Sequence, residues 1–333
     1  MKVILPTNDY PPARGGVARY LQAVKKTFPQ NVEILHWQKL PGRFRMFFQL
    51  WKELKKFDSL WTSHILPIGT MAMIVASLLR KPYGVFLHGL DFDLARRNAW
   101  KRFLTKKILR KAQFVVANSN ALRKEIENFC DRSVEVIYPT VNDALVESAS
   151  MLFKDKKYCH KKKIHLLTTG RLIERKGHIN VLEAIVNKPE FYYTIIGDGA
   201  FRSVIEEKIK ALGLGDRVEI LRNVKDAKLA HFYALADIFV MPVENMKGDR
   251  EGFGIVYLEA QLFGLPVIAT DLPGVNEAIK GGILINGKSE LPKALNKLAN
   301  DCLLRKKLGR IGRDFILDNF TREKQFKKLE KFL

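Results

Sequence analysis

The chain has 333 residues, of which 47% are hydrophobic, with three cysteines and a formal net charge of +22 at pH 7. The length is roughly two domains' worth and the apolar content allows each a core, which excludes a disordered or fibrous chain. The charge predicts attraction to something anionic: nucleic acid, an acidic membrane surface or phosphorylated ligands.

Short apolar runs at residues 2–6, 32–35, 59–62, 83–87, 113–117 and 134–137 read as strands, with helical stretches between them, the first at 17–27. Residues 142–163 have no clear period and end in a charge run at 154–163, so they read as a linker. The alternation then restarts, with strands at 164–169, 192–196, 218–221, 238–242, 266–269 and 282–285. Helices are expected at 177–185, 200–212, 227–235, 254–263 and 290–300, and an amphipathic one at 322–333 carries Phe326, Leu329 and Phe332. Strands alternating with helices predict α/β layers around parallel sheets. Two doubly wound domains facing each other would bind ligands at the carboxyl ends of their strands, in the cleft between them.

Two helical stretches are unusually basic. Residues 96–111 carry Arg96, Arg97, Lys101, Arg102, Lys106, Lys107, Arg110 and Lys111 with no acidic residue among them, beside a stripe of Trp100, Phe103, Leu104 and Ile108. Residues 43–56 place Phe44, Phe47, Phe48, Trp51 and Leu54 on one face. Each stripe suits either packing on the domain's own sheet or an anionic membrane surface. The opening run Met1 to Pro6 is too short for a secretory signal, and the apolar stretch 65–79 is too short for a membrane span. Cys130, Cys159 and Cys302 are widely spaced and odd in number, which fits neither a disulfide framework nor a metal knuckle and points to a reducing cytosol.

Several strand ends carry chemistry. Gly15 and Gly16 open the first helix, where backbone approaches a ligand closely or simply turns tightly. His88 ends the strand at 83–87, and the Asp91-Phe92-Asp93 tripeptide beyond it is assigned no metal. Gly170-Arg171 through Lys176-Gly177 places two cations on a loop entering a helix, suited to gripping a diphosphate. Gly197-Asp198-Gly199 lacks the third glycine of a dinucleotide fingerprint, since position 202 is Arg202, and no Walker loop occurs. Glu251 to Glu259 sets two carboxylates eight positions apart around Gly252 and Gly254, either at a ligand-binding helix start or at a loop entering a core helix.

The order of these motifs, from Gly15-Gly16 through His88-Gly89-Leu90-Asp91 to Glu251–Glu259 and Gly264-Leu265-Pro266, resembles glycosyltransferase family 4 over nearly the whole chain. The resemblance implies a GT-B fold with two facing Rossmann-like domains and an interdomain cleft. Residues 1–150 would form an acceptor-binding domain and residues 160–317 a nucleotide-sugar-binding domain, with a final helix at about 318–333 packing back on the first. It also implies metal-independent, retaining transfer of a hexose from a nucleotide diphosphate sugar to an acceptor hydroxyl, with no cofactor. By position, Arg171 and Lys176 would bind the diphosphate and stabilise its departure, Glu251 would meet the donor sugar and Glu259 the ribose. The backbone at Phe253, Gly254 and Ile255, with Gly170 and Gly197, would line the donor. Gly15 and Gly16 would approach it from the first domain, and His88 would sit by the reacting sugar.

Arg222 stands where the family commonly has glycine, near the expected nucleotide base, and Val243 where serine is common. The run Gly254 to Ala260 resembles that of mannosyl- or glucosyltransferases acting on lipid-linked or cell-surface glycans, which implies a cytoplasmic enzyme peripheral to the inner membrane face. A sugar-nucleotide epimerase is the alternative within this fold. A basic nucleic-acid-binding protein is the alternative outside it, and nothing but charge supports one.

Overall fold

The computed structural model describes residues 1–12, 15–153, 163–246 and 248–333. The chain divides into two compact units, residues 1–140 with 322–333, and residues 141–321.

In the first unit the elements follow as β1 (Val3–Thr7), α1 (Gly16–Thr27), β2 (Val32–His36), α2 (Arg43–Leu54), β3 (Ser59–Thr62) and α3 (Ile68–Leu79). Then come β4 (Tyr83–Leu87), α4 (Leu90–Leu94), α5 (Ala99–Lys111), β5 (Phe114–Ala117), α6 (Asn120–Cys130) and β6 (Glu135–Val136). The sheet order is β2-β1-β3-β4-β5-β6, and the paired strands are parallel. Strands β1, β3, β4 and β5 are buried along their whole length, because helices cover both faces of the sheet. One face packs Leu50, Leu54, Ala76, Ile108 and Ile126. The other packs Tyr20, Leu21, Val24, Trp61 and Phe86 together with Phe326 and Leu329 from the end of the chain. Phe332 stacks on Phe114 with ring centroids 3.9 Å apart.

The second unit opens with α7 (Asp143–Leu152), then β7 (Ile164–Thr169), α8 (His178–Ile185), β8 (Phe191–Ile196), α9 (Arg202–Ala211), β9 (Val218–Leu221) and α10 (Asp226–Leu235). It continues with β10 (Ile238–Met241), α11 (Ile255–Leu262), β11 (Val267–Thr270), β12 (Gly282–Ile285), α12 (Leu291–Asn300) and α13 (Cys302–Asn319). Its sheet runs β12-β11-β10-β7-β8-β9, again parallel. In both sheets the order reverses at one place, between β1 and β3 in the first and between β7 and β10 in the second. Loops leaving the carboxyl ends of such neighbours turn to opposite faces and leave a crevice, which is where open α/β sheets hold ligands.

Four expectations need correcting. The supposed linker at 142–163 begins with α7, capped by Asn142, which accepts from the Ala144 N–H, and buried through Leu145 and Ala149. Its charge run at 154–162 lies outside the described residues. The terminal segment 322–333 is α-helical only over α14 (Arg322–Phe326) and continues as a 3₁₀ turn, Lys327–Phe332. The aromatic stripes of the two basic helices are split: Met46, Leu50 and Leu54 face the core from α2, while Phe44 is 83% exposed and Phe48 lies open beside it. In α5, Ile108 and Leu109 are buried, whereas Trp100 is 69% exposed and stacks on Phe103, which is also exposed. The cysteines also differ in state, since Cys302 is disulfide-bonded while Cys130 is free and buried. No helix among the described residues is long and apolar enough to cross a membrane.

Candidate active site

The switch point of the second sheet collects the strongest group of charged side chains. After β7 the chain makes a 3₁₀ turn, Glu174–Lys176, closed by Gly177 at φ 71°. A Cβ on Gly177 would lie 2.2 Å from the carbonyl oxygen of Pro242, so only glycine lets the two loops meet. That turn drives Arg175 and Lys176 inward, and both are buried. The loop after β10 answers with carboxylates. Glu251 Oε2 accepts from Arg175 Nη1 and from Lys176 Nζ, each at 2.6 Å. Arg175 Nε donates to Asp249 Oδ1 at 2.8 Å. The Glu244 N–H donates to the Arg175 carbonyl at 2.7 Å, and Asn180 Nδ2 to Glu244 Oε1 at 2.7 Å, which fixes one loop on the other.

Burial alone would raise the Glu251 carboxyl, but Lys176 and Arg175 beside it outweigh that and hold it below the usual carboxylate range. Lys176 moves the other way. Burial lowers it, and the pull of one carboxylate, already shared with Arg175, does not make up the difference beside the like charges of Arg175 and Arg171. Buried charges in such a group survive because each is paired. Arg171 is exposed, and its side chain has no partner among the described residues. The second oxygen of Glu251 is likewise without a partner.

The other expected donor residues fall around the same loops. Gly170 and Gly197 end β7 and β8, and a Cβ on Gly197 would sit 1.8 Å from the Gly170 carbonyl oxygen, so packing alone already demands that glycine. Phe253 is buried against Phe320. Gly254 adopts φ 87° at the start of α11, where a Cβ would meet the Tyr257 ring at 2.5 Å, and no side chain caps that N-terminus at Ile255. Glu259 is 1% exposed and accepts from the Tyr233 hydroxyl at 2.8 Å, which also contacts Thr169 Oγ1 at 2.7 Å. At the end of β9, Arg222 lies 3.5 Å from Asp198.

In the first unit, Gly15 precedes α1 and Gly16 begins it, again with no side-chain cap, and a Cβ on Gly15 would meet nothing within 4 Å. The neighbouring residues 13 and 14 lie outside the described residues. His88 follows β4 with its ring edge-on to Tyr20, and burial lowers its pKa to about 3, so the ring is neutral at physiological pH. Its backbone N–H donates to Asp91 Oδ1 at 3.0 Å, and Asp93 pairs with Arg96 at 2.6 Å, which gives the Asp91-Phe92-Asp93 tripeptide a structural explanation. Sequence reasoning missed Arg175 and Asp249. Arg175 stood in the cationic loop, but nothing in the sequence tells which cations the 3₁₀ turn points inward.

Two Rossmann-like units, each a six-stranded parallel sheet with its own switch point, define the GT-B class of fold. Across its full length the chain matches Anabaena HepE, solved in complex with UDP and glucose, at a TM-score of 0.81, 18% identity and 99% coverage of that chain. It matches sucrose-phosphate synthase from Thermosynechococcus elongatus at a TM-score of 0.76 and 20% identity, covering 99% of this chain and 98% of that one. The family description "Glycosyltransferase Family 4" fits residues 3–145 and "Glycosyl transferases group 1" fits residues 151–315. The chain belongs to this family and is a glycosyltransferase. Among curated relatives, a GDP-mannose-dependent monoacylated alpha-(1-6)-phosphatidylinositol monomannoside mannosyltransferase of Corynebacterium glutamicum is 24% identical, covering 100% of this chain and 97% of its own length. A D-inositol 3-phosphate glycosyltransferase of Paenarthrobacter aurescens is 34% identical over 44% of this chain and 38% of its own.

Proposed function

We propose that the protein moves a hexose, with retention of configuration, from a nucleotide diphosphate sugar to a hydroxyl of a lipid-linked or cell-surface glycan. The observation that carries this reading is the buried Arg175–Lys176–Glu251 group at the second switch point, with Arg171, unpaired among the described residues, beside it. Lys176 donates one hydrogen bond to Glu251 and keeps N–H groups for phosphate oxygens. As the bond between sugar and phosphate breaks, negative charge grows on the leaving diphosphate, and Lys176 and Arg171 neutralise it without a metal ion. Glu251 accepts from a sugar hydroxyl through its second oxygen, and Glu259 serves the ribose. The open N-terminus of α11 at Gly254 and Ile255 offers N–H groups to donor oxygens. The acceptor proton passes to the departing phosphate, so no enzyme nucleophile is needed.

The Corynebacterium relative's name supports a GDP-mannose donor and a lipid acceptor, whereas HepE was solved with UDP and glucose. The two differ on the base, and so the test begins there. The protein also docks on the anionic inner face of the cytoplasmic membrane through the open aromatics and cations of α2 and α5. The test is incubation with UDP-, GDP- and ADP-sugars, with and without a phosphatidylinositol or polyprenyl-linked acceptor, and the anomeric configuration read by NMR. Acceptor-dependent formation of an α-linked product from an α-sugar nucleotide is expected. An inverted product would sink the retaining mechanism, and a changed sugar nucleotide formed without acceptor would favour an epimerase.

A further inference from the structure

Arg175 is joined to the loop between β10 and α11 at three places. Its backbone carbonyl accepts from the Glu244 N–H at 2.7 Å, its Nε donates to Asp249 Oδ1 at 2.8 Å, and its Nη1 donates to Glu251 Oε2 at 2.6 Å. The Lys176 side chain reaches the same loop through Nζ and that same Glu251 oxygen. The two neighbouring cations therefore differ in what they have left to give. Lys176 turns on a flexible stem and keeps two N–H groups, while the guanidinium of Arg175 is a planar fork committed to two carboxylates of one loop. The Arg175 side chain is 5% exposed, and Asp249, 45% exposed, holds the fork by its Nε edge.

This arrangement fixes which way Glu251 faces. Both 2.6 Å contacts fall on Oε2, one from each cation, so Oε1 is left for another donor. It also sets the local charge. Two cations and one carboxylate leave a positive surplus, and a carboxylate shared with Arg175 compensates Lys176 only in part. With Arg175 gone, Glu251 and Lys176 would pair with each other alone, and the carboxylate would swing with the lysine. The other groups around the pair do not take over this role. Burial, and then the field of Glu251, raises the Tyr257 hydroxyl of α11 well above its usual range, and it donates to the Met241 carbonyl at 2.9 Å. Burial, and then the charge of Lys176, lowers His178 of α8 to about 4, so that ring is neutral. Glu244 accepts from Asn180, and Arg171 adds only a further positive charge beside Lys176.

We propose that Arg175 is a positioning residue for transfer: clamped by Asp249, it holds Glu251 with one oxygen turned to the donor sugar and leaves part of the Lys176 charge for the diphosphate. This rests on the transferase reading above and adds a residue that acts on the donor without touching it.

The test uses the full chain and whichever of UDP-glucose and GDP-mannose the wild type turns over, with release of the nucleoside diphosphate as readout. Loss of a charge-assisted contact to Glu251 predicts that Arg175→Met lowers kcat/KM for the sugar nucleotide roughly 10- to 100-fold. Affinity for UDP or GDP alone, measured by calorimetry, falls less than about fivefold, because Arg175 does not grip the phosphates. The pH profile of kcat/KM separates this role from a merely structural one, since it reports groups of the free enzyme. Set against burial and the attraction between Lys176 and Glu251, the charge of Arg175 pulls both groups to lower pKa, so its removal moves the acid and alkaline limbs upward together. Arg175→Lys, which keeps the charge, retains more activity than Arg175→Met and keeps limbs nearer those of wild type. Asp249→Ala, at a half-open position, lowers kcat/KM roughly two- to fivefold without lowering nucleotide affinity. Wild-type kcat/KM in Arg175→Met would overturn the proposal, as would a larger loss of nucleotide affinity, equal activity in the two Arg175 variants, or limbs that stay in place while activity falls. If the Arg175 variants do not fold, wild-type kcat/KM in Asp249→Ala overturns it. A wild type that binds neither UDP nor GDP and turns over neither sugar nucleotide would overturn the transferase reading itself, and this proposal with it.

Discussion

Glu251 shows how a residue can be legible in kind and hidden in detail. Its place in the Glu-x7-Glu pattern marks it in the sequence, but its double pairing with Arg175 and Lys176 depends on a loop 75 residues upstream in the chain. Removing it strands the buried Lys176 and leaves Arg175 with Asp249 alone, so Glu251→Gln should cost about 3–5 kcal/mol at pH 7. Its folded-state pKa is depressed, so its stabilisation is complete above the unfolded carboxylate value of ~4.3 and is lost as pH falls through the folded value. Urea midpoints for wild type and Glu251→Gln should differ widely at pH 7 and converge in acid. A gap that stays constant down to pH ~3 would mean the carboxylate is not the source. Arg175 was not singled out from sequence, because an arginine in a basic loop has many uses until its partners are known.

At the scale of elements, most strands were legible because parallel strands buried on both faces are short, unbroken apolar runs. Helices α7 and α13 were not. In α7, Ser148 and Ser150 bond back to the carbonyls of Ala144 and Val146, which lets serines sit inside a helix and blurs its pattern. In α13, Gly309 and Gly312 interrupt the apolar face, and a Cβ on Gly312 would meet the Gln261 side chain of α11 at 3.0 Å. The same close packing makes Gly197→Ala a sharp test of the loops after β7 and β8. That variant should lose about 1–3 kcal/mol, seen as a lower midpoint in thermal unfolding, because backbone must move to admit the methyl group. A wild-type midpoint would show that these loops are not packed as described. Helices α2 and α5 invite a different measurement. Flotation should carry the protein up with anionic vesicles and much less with neutral ones, and Phe44→Ser with Trp100→Ser should abolish it without affecting folding. Equal binding of wild type and double variant would remove the aromatics from the account.

For the whole molecule, the charge of +22 announces an anionic partner without saying which. The fold narrows it. Two parallel sheets of this order place loops at two switch points, and the second of them carries a buried cationic pair beside an arginine with no partner among the described residues. That much follows from strand order, which the alternation of apolar runs implied. The pairing of the charges required the folded loops. The central claim is that this group grips a nucleotide diphosphate, and calorimetry of UDP and GDP against wild type, Arg171→Ala and Lys176→Ala tests it most directly. Each lost charge-assisted contact should weaken binding by about 1.5–3 kcal/mol, roughly 10- to 150-fold. Nucleotide binding that is as tight in both variants as in wild type would contradict it.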